Sequence, residues 1–220
     1  NFAQISHAGM MAKEETTGFK AIAPSSIENP KRTELPIPEE MTKKQIELIK
    51  QNFIQAAVRV KKAGCDGVEI HSAHGYLLNE FLSPLSNKRE DEYGGTPENR
   101  VRILGRVLDA AKEVWPEDKV ICVRVTAEDY QEGGNKADDL AEMINLVKDK
   151  GIDLVHVSTG GVVSVLPNVF PGYQIPHAEI IKAKTGIPVI GGGLITESEF
   201  AEELIAEEKC DMVYVGRLLL

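Results

Sequence analysis

Two histidines, His71 and His74, stand three residues apart directly after a short apolar run that contains Val68 and Ile70. Such a run is typical of a buried strand, so both imidazoles come where that strand ends. A neutral imidazole offers one ring N–H, and two such donors can polarise the same substrate oxygen. Tyr76 follows two residues later and is either a proton donor or a packing residue. The spacing indicates a site that acts on a substrate oxygen.

Two other interpretations of the histidine pair stay open on the residues alone. The HxxH spacing could be half of a metal site, but no third His or Cys stands at a useful distance along the chain, so no metal site is predicted. The pair could also consist of core or surface histidines that only make hydrogen bonds.

Arg124 interrupts an otherwise apolar strand predicted over residues 120–125. A buried guanidinium is costly unless it is paired. One interpretation is an ion pair with a neighbouring carboxylate such as Glu69. The other is contact with an anion or with the polar edge of a cofactor, and the residues do not decide between them.

Glycines follow the last two predicted strands: Gly191, Gly192 and Gly193 after one, and Gly216 with Arg217 after the next. Barrels of alternating strands and helices bind phosphate groups in the loops after their seventh and eighth strands. Backbone N–H groups in such loops can hold phosphate oxygens. The two glycine turns therefore indicate a phosphate site, although a single glycine run would only indicate a turn.

Strand and helix patterns alternate along the chain, after an irregular stretch of about residues 7–40 that is typical of a functional loop. Capping boxes predict helix starts at Thr42 with Gln45 and at Thr196 with Glu199, and Pro97 predicts another. A short helix is predicted over residues 178–184. The predicted strands cover residues 2–5, 68–70, 120–125, 154–157, 188–190 and 212–215.

This alternation predicts an α/β fold, as either a doubly wound sheet or a (β/α)8 barrel. Polar and glycine-rich residues follow nearly every strand, which favours the barrel. A complete barrel has eight strands and about 250 residues, so six predicted strands indicate an incomplete one.

The composition excludes several classes of protein. The 220 residues carry a net charge of -9, which argues against a nucleic-acid surface. No apolar run is long enough to cross a bilayer, and no signal-peptide pattern opens the chain. The cysteines Cys65, Cys122 and Cys210 are widely spaced, which is typical of free thiols in a reducing compartment such as the cytoplasm.

The segment from Gly67 to Gly95, with its core HxAHGYLLxEFLSPLSNKRxDEYGG, resembles the old yellow enzyme family of NADH:flavin oxidoreductases, particularly its bacterial YqjM-like branch. Landmarks along the rest of the chain agree in order, and the resemblance spans essentially all 220 residues. The agreeing landmarks are residues 4–9, 123–125, 193–196 and 215–217.

The resemblance implies a TIM barrel that holds FMN non-covalently, here with about strands 3 to 8. It implies hydride transfer from NAD(P)H through FMN to the activated C=C bond of a small α,β-unsaturated carbonyl, and homo-oligomers among relatives. His71 and His74 would bind the carbonyl oxygen, with Tyr76 as candidate proton donor. The implied cofactor contacts are Gln4 and Arg124 at the pyrimidine edge, and Gly193, Gly216 and Arg217 at the phosphate.

Two features depart from the family pattern. Met10 stands where relatives usually carry Arg, and the first two barrel strands of the family would precede Asn1. We therefore expect residues 1–220 to be a partial FMN-binding barrel domain that lacks the N-terminal strands and the C-terminal end. We also expect this piece alone to fold poorly or to bind FMN weakly.

Two alternative functions remain open at this point. The chain could be a flavin-free barrel lyase or isomerase whose glycine loops bind a phosphorylated substrate. It could also be a non-catalytic barrel fragment with a structural role.

Overall fold

The computed structural model describes residues 1–165 and 167–219, and it places eight strands and eight helices along them. The strands are β1 (Phe2–Ile5), β2 (Ile22–Ala23), β3 (Glu39–Glu40), β4 (Gly67–Ser72), β5 (Val120–Thr126), β6 (Leu154–Ser158), β7 (Val189–Gly191) and β8 (Met212–Val213). The helices are α1 (Glu14–Thr17), α2 (Lys43–Lys62), α3 (Leu77–Leu82), α4 (Pro97–Arg100), α5 (Arg102–Val114), α6 (Ala137–Asn145), α7 (Ile175–Thr185) and α8 (Ser198–Ala206). Short 3-10 turns cover Gly9–Met11, Lys148–Lys150 and Arg217–Leu219.

Six of the strands form one parallel sheet in the order β1-β4-β5-β6-β7-β8, which is the order of the chain. A doubly wound sheet reverses its strand order at a switch point, and this sheet has no reversal among the described residues. Helices connect its successive strands. The fold is therefore that of six consecutive strands of a (β/α)8 barrel, as predicted. The remaining pair, β2 and β3, forms a small parallel sheet inside the long segment after β1.

The strands of the main sheet have two chemically different faces. Val68 and Ile70 of β4, like Val123 of β5, belong to the hydrophobic core that the helices share. The residues between them in the sequence, such as Glu69 and His71, point to the other face because side chains alternate along a strand. Toward the helices, β4, β5 and β6 are mainly apolar. Their other face carries most of their polar side chains.

Helix α2 begins as predicted. The Thr42 side chain accepts a hydrogen bond from the Gln45 backbone N–H, and the Gln45 side chain accepts one from the Thr42 N–H. Thr96 likewise caps α4, with Pro97 at the first helical position.

The prediction of a second capping box is wrong. Helix α8 begins at Ser198, so its N-cap is Glu197, which makes no side-chain capping bond. The third helical position is then Phe200, which has no oxygen to complete a box. The structure also lengthens the predicted helix at residues 178–184 to α7, and adds the buried helix α3 directly after the histidine turn.

Within residues 1–165 and 167–219, no helix is both long enough and apolar enough to span a membrane. In the same part of the chain, no group of three or more His, Cys, Asp or Glu side chains is placed to bind a metal ion.

The two capping predictions can be separated by mutation. Thr42→Ala removes a side-chain acceptor from the N-terminus of α2, and we expect it to lower the free energy of unfolding by about 1 kcal/mol. Thr196→Ala removes no cap, and we expect a change below about 0.5 kcal/mol. Urea denaturation of the full protein that carries each change measures the two free energies of unfolding. Equal losses in the two variants would contradict the helix starts described here.

Candidate active site

His71 and His74 lie at the carboxyl end of β4, as the sequence predicted. His71 is the fifth residue of the strand and is only 3% exposed. His74 follows in a turn and takes a left-handed backbone conformation with φ of 61°, and Gly75 continues it with φ of 72°. Two successive residues with positive φ reverse the chain direction, so the turn carries the imidazole of His74 back toward that of His71.

The ends of β5 and β6 hold this turn in place. The backbone N–H of His74 donates to Thr126 Oγ1 at 2.8 Å, and His74 Nε2 lies 2.7 Å from Ser158 Oγ. Helix α3 contributes Asn79, whose Oδ1 accepts from the Gly75 N–H at 2.8 Å. Gly161 passes so close that a Cβ there would lie 2.6 Å from His74 Cα. Three elements of the fold therefore fix the position of one histidine.

Three aromatic side chains converge at this point. The ring centroids of His71 and His74 lie 5.1 Å apart, and those of His71 and Tyr76 lie 5.2 Å apart in an edge-to-face arrangement. The structure thus brings together the three residues that the sequence predicted as catalytic. Tyr76 is also the N-cap of α3, so its backbone is fixed by the start of that helix.

Both histidines are neutral near pH 7. Burial lowers the pKa of His71 to about 4, and the positive charge of Arg124 lowers it further in the same direction. Burial likewise lowers the pKa of His74 to about 3, with Arg124 and His71 as smaller contributors. A neutral imidazole has one N–H donor and one lone pair, so these rings can donate hydrogen bonds to a ligand without carrying charge.

Arg124 stands beside the histidines because of strand register. In the parallel sheet His71 is the register partner of Arg124, and Arg124 is the partner of His156 on β6. The guanidinium carbon of Arg124 lies 5.9 Å from the ring centroid of Tyr214, which follows β8. Arg124 therefore sits between the histidine pair and the last strand of the sheet.

The ion pair between Arg124 and Glu69, one of two interpretations of the sequence, is not formed in the described part of the chain. The Glu69 carboxylate instead lies 2.8 Å from His156 Nδ1 and accepts a hydrogen bond from Gln4 Nε2 at 2.6 Å. Burial alone would raise the pKa of Glu69, but its hydrogen bond to His156 and the smaller effects of Gln4 and Arg124 lower it to about 2. Glu69 is thus ionised, and it holds Gln4 against the sheet.

One row of the sheet carries three buried polar atoms with no hydrogen-bond partner among the described residues. They are Nδ1 of His71, Nε of Arg124 and Nε2 of His156. Buried polar groups in proteins are nearly always paired, so unpaired atoms on three adjacent strands are a polar surface that a ligand can satisfy. This row fits a cofactor with a polar edge.

The two late glycine turns line one cavity of about 340 Å³, together with Tyr173 and Tyr214. Gly193 has a φ of 100°, and a Cβ there would lie 2.7 Å from the Tyr173 ring, so only glycine fits. At Gly216 a Cβ would meet no atom of the described residues within 4 Å, so they leave the space beside its Cα open to a ligand. The side chain of Arg217 lies outside the described part of the chain. The structure thus joins the predicted phosphate turns and connects them, through Tyr214, to Arg124.

The sequence did not single out several residues that complete this site. Thr126 and Ser158 bind His74, and His156 binds Glu69. Thr126 and Ser158 end their strands and His156 is the middle residue of β6, and their alternation with apolar residues could have indicated all three. Gln174 and Tyr214 also belong here, but their contacts arise between distant parts of the chain and leave no local pattern.

Comparisons with known proteins agree with this geometry. The sequence model of the NADH:flavin oxidoreductase / NADH oxidase family matches residues 2–220. An NADPH dehydrogenase of Geobacillus thermodenitrificans is 50% identical over 217 residues, which cover 99% of this chain and 62% of the relative. An NADPH dehydrogenase of Clostridium acetobutylicum is 47% identical over 221 residues, which cover 99% of this chain and 63% of the relative.

Among solved structures, the old yellow enzyme homologue from Zymomonas mobilis matches with a TM-score of 0.81 at 25% identity. The match covers 98% of this chain and 62% of that structure's chain. This chain therefore spans about three fifths of the length of the relatives it matches.

The lowered histidine pKa values predict how stability depends on pH. Below the ordinary histidine pKa of about 6.5, the unfolded chain binds protons that native His71 and His74 do not bind until about pH 4 and 3. The free energy of unfolding should therefore fall as the pH drops from about 6.5 toward 4, by on the order of 1 kcal/mol per pH unit for each histidine. Above pH 6.5 this dependence should vanish.

Replacement of both residues, His71→Asn with His74→Asn, should flatten the slope, since Asn does not titrate and tolerates a positive φ. Tyr76→Phe, which keeps both histidines and an aromatic ring at position 76, should keep the slope. Urea denaturation between pH 4.5 and 7.5 measures it. Identical slopes in all three proteins would show that the histidines are not buried as described.

Proposed function

This chain belongs to the NADH:flavin oxidoreductase / NADH oxidase family, and from that premise we propose that it is part of an FMN-dependent NAD(P)H oxidoreductase of the ene-reductase type. The proposed substrate is a small α,β-unsaturated carbonyl compound whose activated C=C bond is reduced. Residues 1–220 are proposed to form most of an FMN-binding barrel domain within a longer protein. The relatives named NADPH dehydrogenase support NADPH as a reductant.

One observation supports this function most strongly. Two neutral imidazoles and a phenol converge at the end of one strand, in register with a half-buried arginine on the next. A carbonyl oxygen gains negative charge when hydride adds to the conjugated carbon, and fixed N–H donors stabilise that charge. We propose that His71 and His74 bind this oxygen and that Tyr76 holds the proton delivered to the product.

The unpaired polar row fits FMN at the same rim. When bound, FMN would supply hydride transfer between NAD(P)H and the substrate. Arg124 would place a fixed positive charge at the polar edge of the isoalloxazine, and Gln4 is proposed to contact the same edge. The backbones of Gly193 and Gly216 would hold the phosphate.

Glu69 explains how these groups can share one rim. Arg124 is a positive charge on a largely buried face, and the ionised Glu69 nearby offsets part of that charge. Because Glu69 is hydrogen-bonded to Gln4 and His156, it does not block the guanidinium with a direct ion pair. Arg124 is thereby left available to a ligand, while Glu69 still offsets part of its charge.

The family relation and the three free cysteines support a cytoplasmic protein that acts on small molecules. Assembly with further copies of the same chain is proposed on the resemblance alone. Size-exclusion chromatography of the full protein with light scattering tests it, and a monomer at micromolar concentration would contradict it.

The function is tested with the full protein that contains this chain. We expect the absorbance band at about 450 nm that flavins share. NADPH should bleach this band, and cyclohexenone should restore it by reoxidising the flavin. His71→Ala with His74→Ala should keep the colour and the bleaching but slow reoxidation by enone, by roughly 100-fold or more. His177→Ala, which changes a histidine on α7, should reoxidise at the rate of the unchanged protein.

Other outcomes separate the alternatives. Unchanged reoxidation in the double variant would remove both histidines from the mechanism. A colourless protein that acts on a phosphate ester would indicate the flavin-free lyase or isomerase. A colourless protein with neither activity would indicate a non-catalytic barrel.

Arg124 can be tested through binding instead of turnover. Arg124→Met removes the charge but keeps much of the apolar length of the side chain. We expect the Kd for FMN to rise about tenfold or more, which corresponds to a loss of about 1.4 kcal/mol of binding free energy. Arg124→Lys should retain part of the affinity because it keeps the charge. Fluorescence titration of the apoprotein with FMN measures both. Equal affinity in the methionine variant would place the cofactor elsewhere.

A further inference from the structure

Gln174, the N-cap residue of α7, is 2% exposed and is hydrogen-bonded at both ends of its side-chain amide. Its Oε1 accepts a hydrogen bond from the hydroxyl of Tyr214. Its Nε2 lies 3.2 Å from Ser158 Oγ, 3.3 Å from Thr159 Oγ1 and 3.1 Å from the Tyr173 hydroxyl. Gln174 thus links the ends of β6 and β8 inside the barrel rim.

The lengths of these contacts support this orientation of the amide. Hydrogen bonds between two oxygens are about 2.5 to 3.0 Å long, whereas N–H···O bonds extend to about 3.2 Å. The contacts to Ser158 at 3.2 Å and to Tyr173 at 3.1 Å fit the longer class, so the two N–H groups of the amide face these two hydroxyls. Ser158 therefore accepts a hydrogen bond from Gln174.

The direction of the next hydrogen bond follows from this one. Ser158 Oγ is 2.7 Å from His74 Nε2. Because Ser158 accepts from Gln174, its own proton is free, and within the described part of the chain the facing partner is His74 Nε2. A ring nitrogen that accepts a hydrogen bond carries no proton, and a neutral imidazole then has its proton on the other nitrogen.

We propose that Gln174 and Ser158 are positioning residues that hold His74 in the tautomer with its proton on Nδ1. The Nδ1–H makes no hydrogen bond among the described residues, so it is the donor that His74 offers to a substrate oxygen. The role toward substrate rests on the proposed function. The tautomer itself does not.

The tautomer of His71 follows from a different observation. Its Nδ1 is buried without a partner among residues 1–165 and 167–219. An orphaned buried N–H donor is rarer than an orphaned acceptor, so the proton of His71 belongs on Nε2. The two histidines would then present different ring nitrogens, Nε2 of His71 and Nδ1 of His74, as donors to one ligand atom.

The test reads the tautomers directly. The full protein is labelled with 15N-histidine and kept near pH 7 without substrate, and long-range 1H–15N correlation spectra distinguish protonated from unprotonated ring nitrogens. His74→Asn identifies the signals of His74. We expect a single tautomer for His74 with the proton on Nδ1.

Variants separate a positioning role from a general structural role. Ser158→Ala should replace the single tautomer of His74 by a mixture, and Ser158→Thr should restore it because it keeps the hydroxyl. Thr159→Val is the matched control: it removes another hydroxyl that Gln174 contacts, but that hydroxyl does not contact His74. The tautomer should be unchanged in it.

Two results would overturn the proposal. A proton on His74 Nε2 in the unchanged protein would mean that Ser158 donates to a reversed Gln174 amide. This measurement uses the unchanged protein, so it does not depend on whether a variant folds. An unchanged Nδ1–H tautomer in a folded Ser158→Ala protein would show that the serine does not set it. If the tautomers are as proposed but the enone is not reduced, the proposed function fails and the assignment stands.

Discussion

The alternation of side chains along parallel strands is the constraint on which this site depends. In β4, β5 and β6, one set of residues packs under the helices and the other set faces the barrel interior. The interior set includes the charged and imidazole side chains, and parallel register places His71, Arg124 and His156 in one row. A shift of one residue in any of these strands would bury the charged set under the helices and turn the apolar set inward. The apolar core therefore fixes the geometry of the polar face.

Electrostatic balance then determines what that face can do. Desolvation and the charge of Arg124 keep both histidines neutral, so they are hydrogen-bond donors and poor bases. Glu69 is ionised because His156 and Gln4 bind it. The result is a rim with one available guanidinium and two uncharged rings, an arrangement suited to stabilising negative charge that develops on a ligand.

Much of this arrangement could be predicted from local patterns. Short apolar runs identified the six strands of the sheet, and the residues that follow them identified the histidine turn and both glycine turns, because a strand end is marked in the sequence itself. The hydrogen bond between Glu69 and His156 could not be predicted, since it depends on the register of strands that bring together residues 87 positions apart in the sequence. The position of Gln174 could not be predicted either, because no periodic pattern relates it to Ser158 and Tyr214. The prediction of a second capping box was wrong for a local reason: helix α8 starts one residue later than it would if Thr196 were its N-cap.

A crystal structure of the full protein with FMN and a cyclohexenone-like ligand would show where the cofactor and the substrate oxygen lie relative to this rim. The isoalloxazine edge should lie beside Arg124 and the phosphate at the turns of Gly193 and Gly216. The ligand oxygen should lie within hydrogen-bond distance of His71 and His74. Flavin bound away from this rim, or a ligand oxygen that neither histidine contacts, would contradict this arrangement.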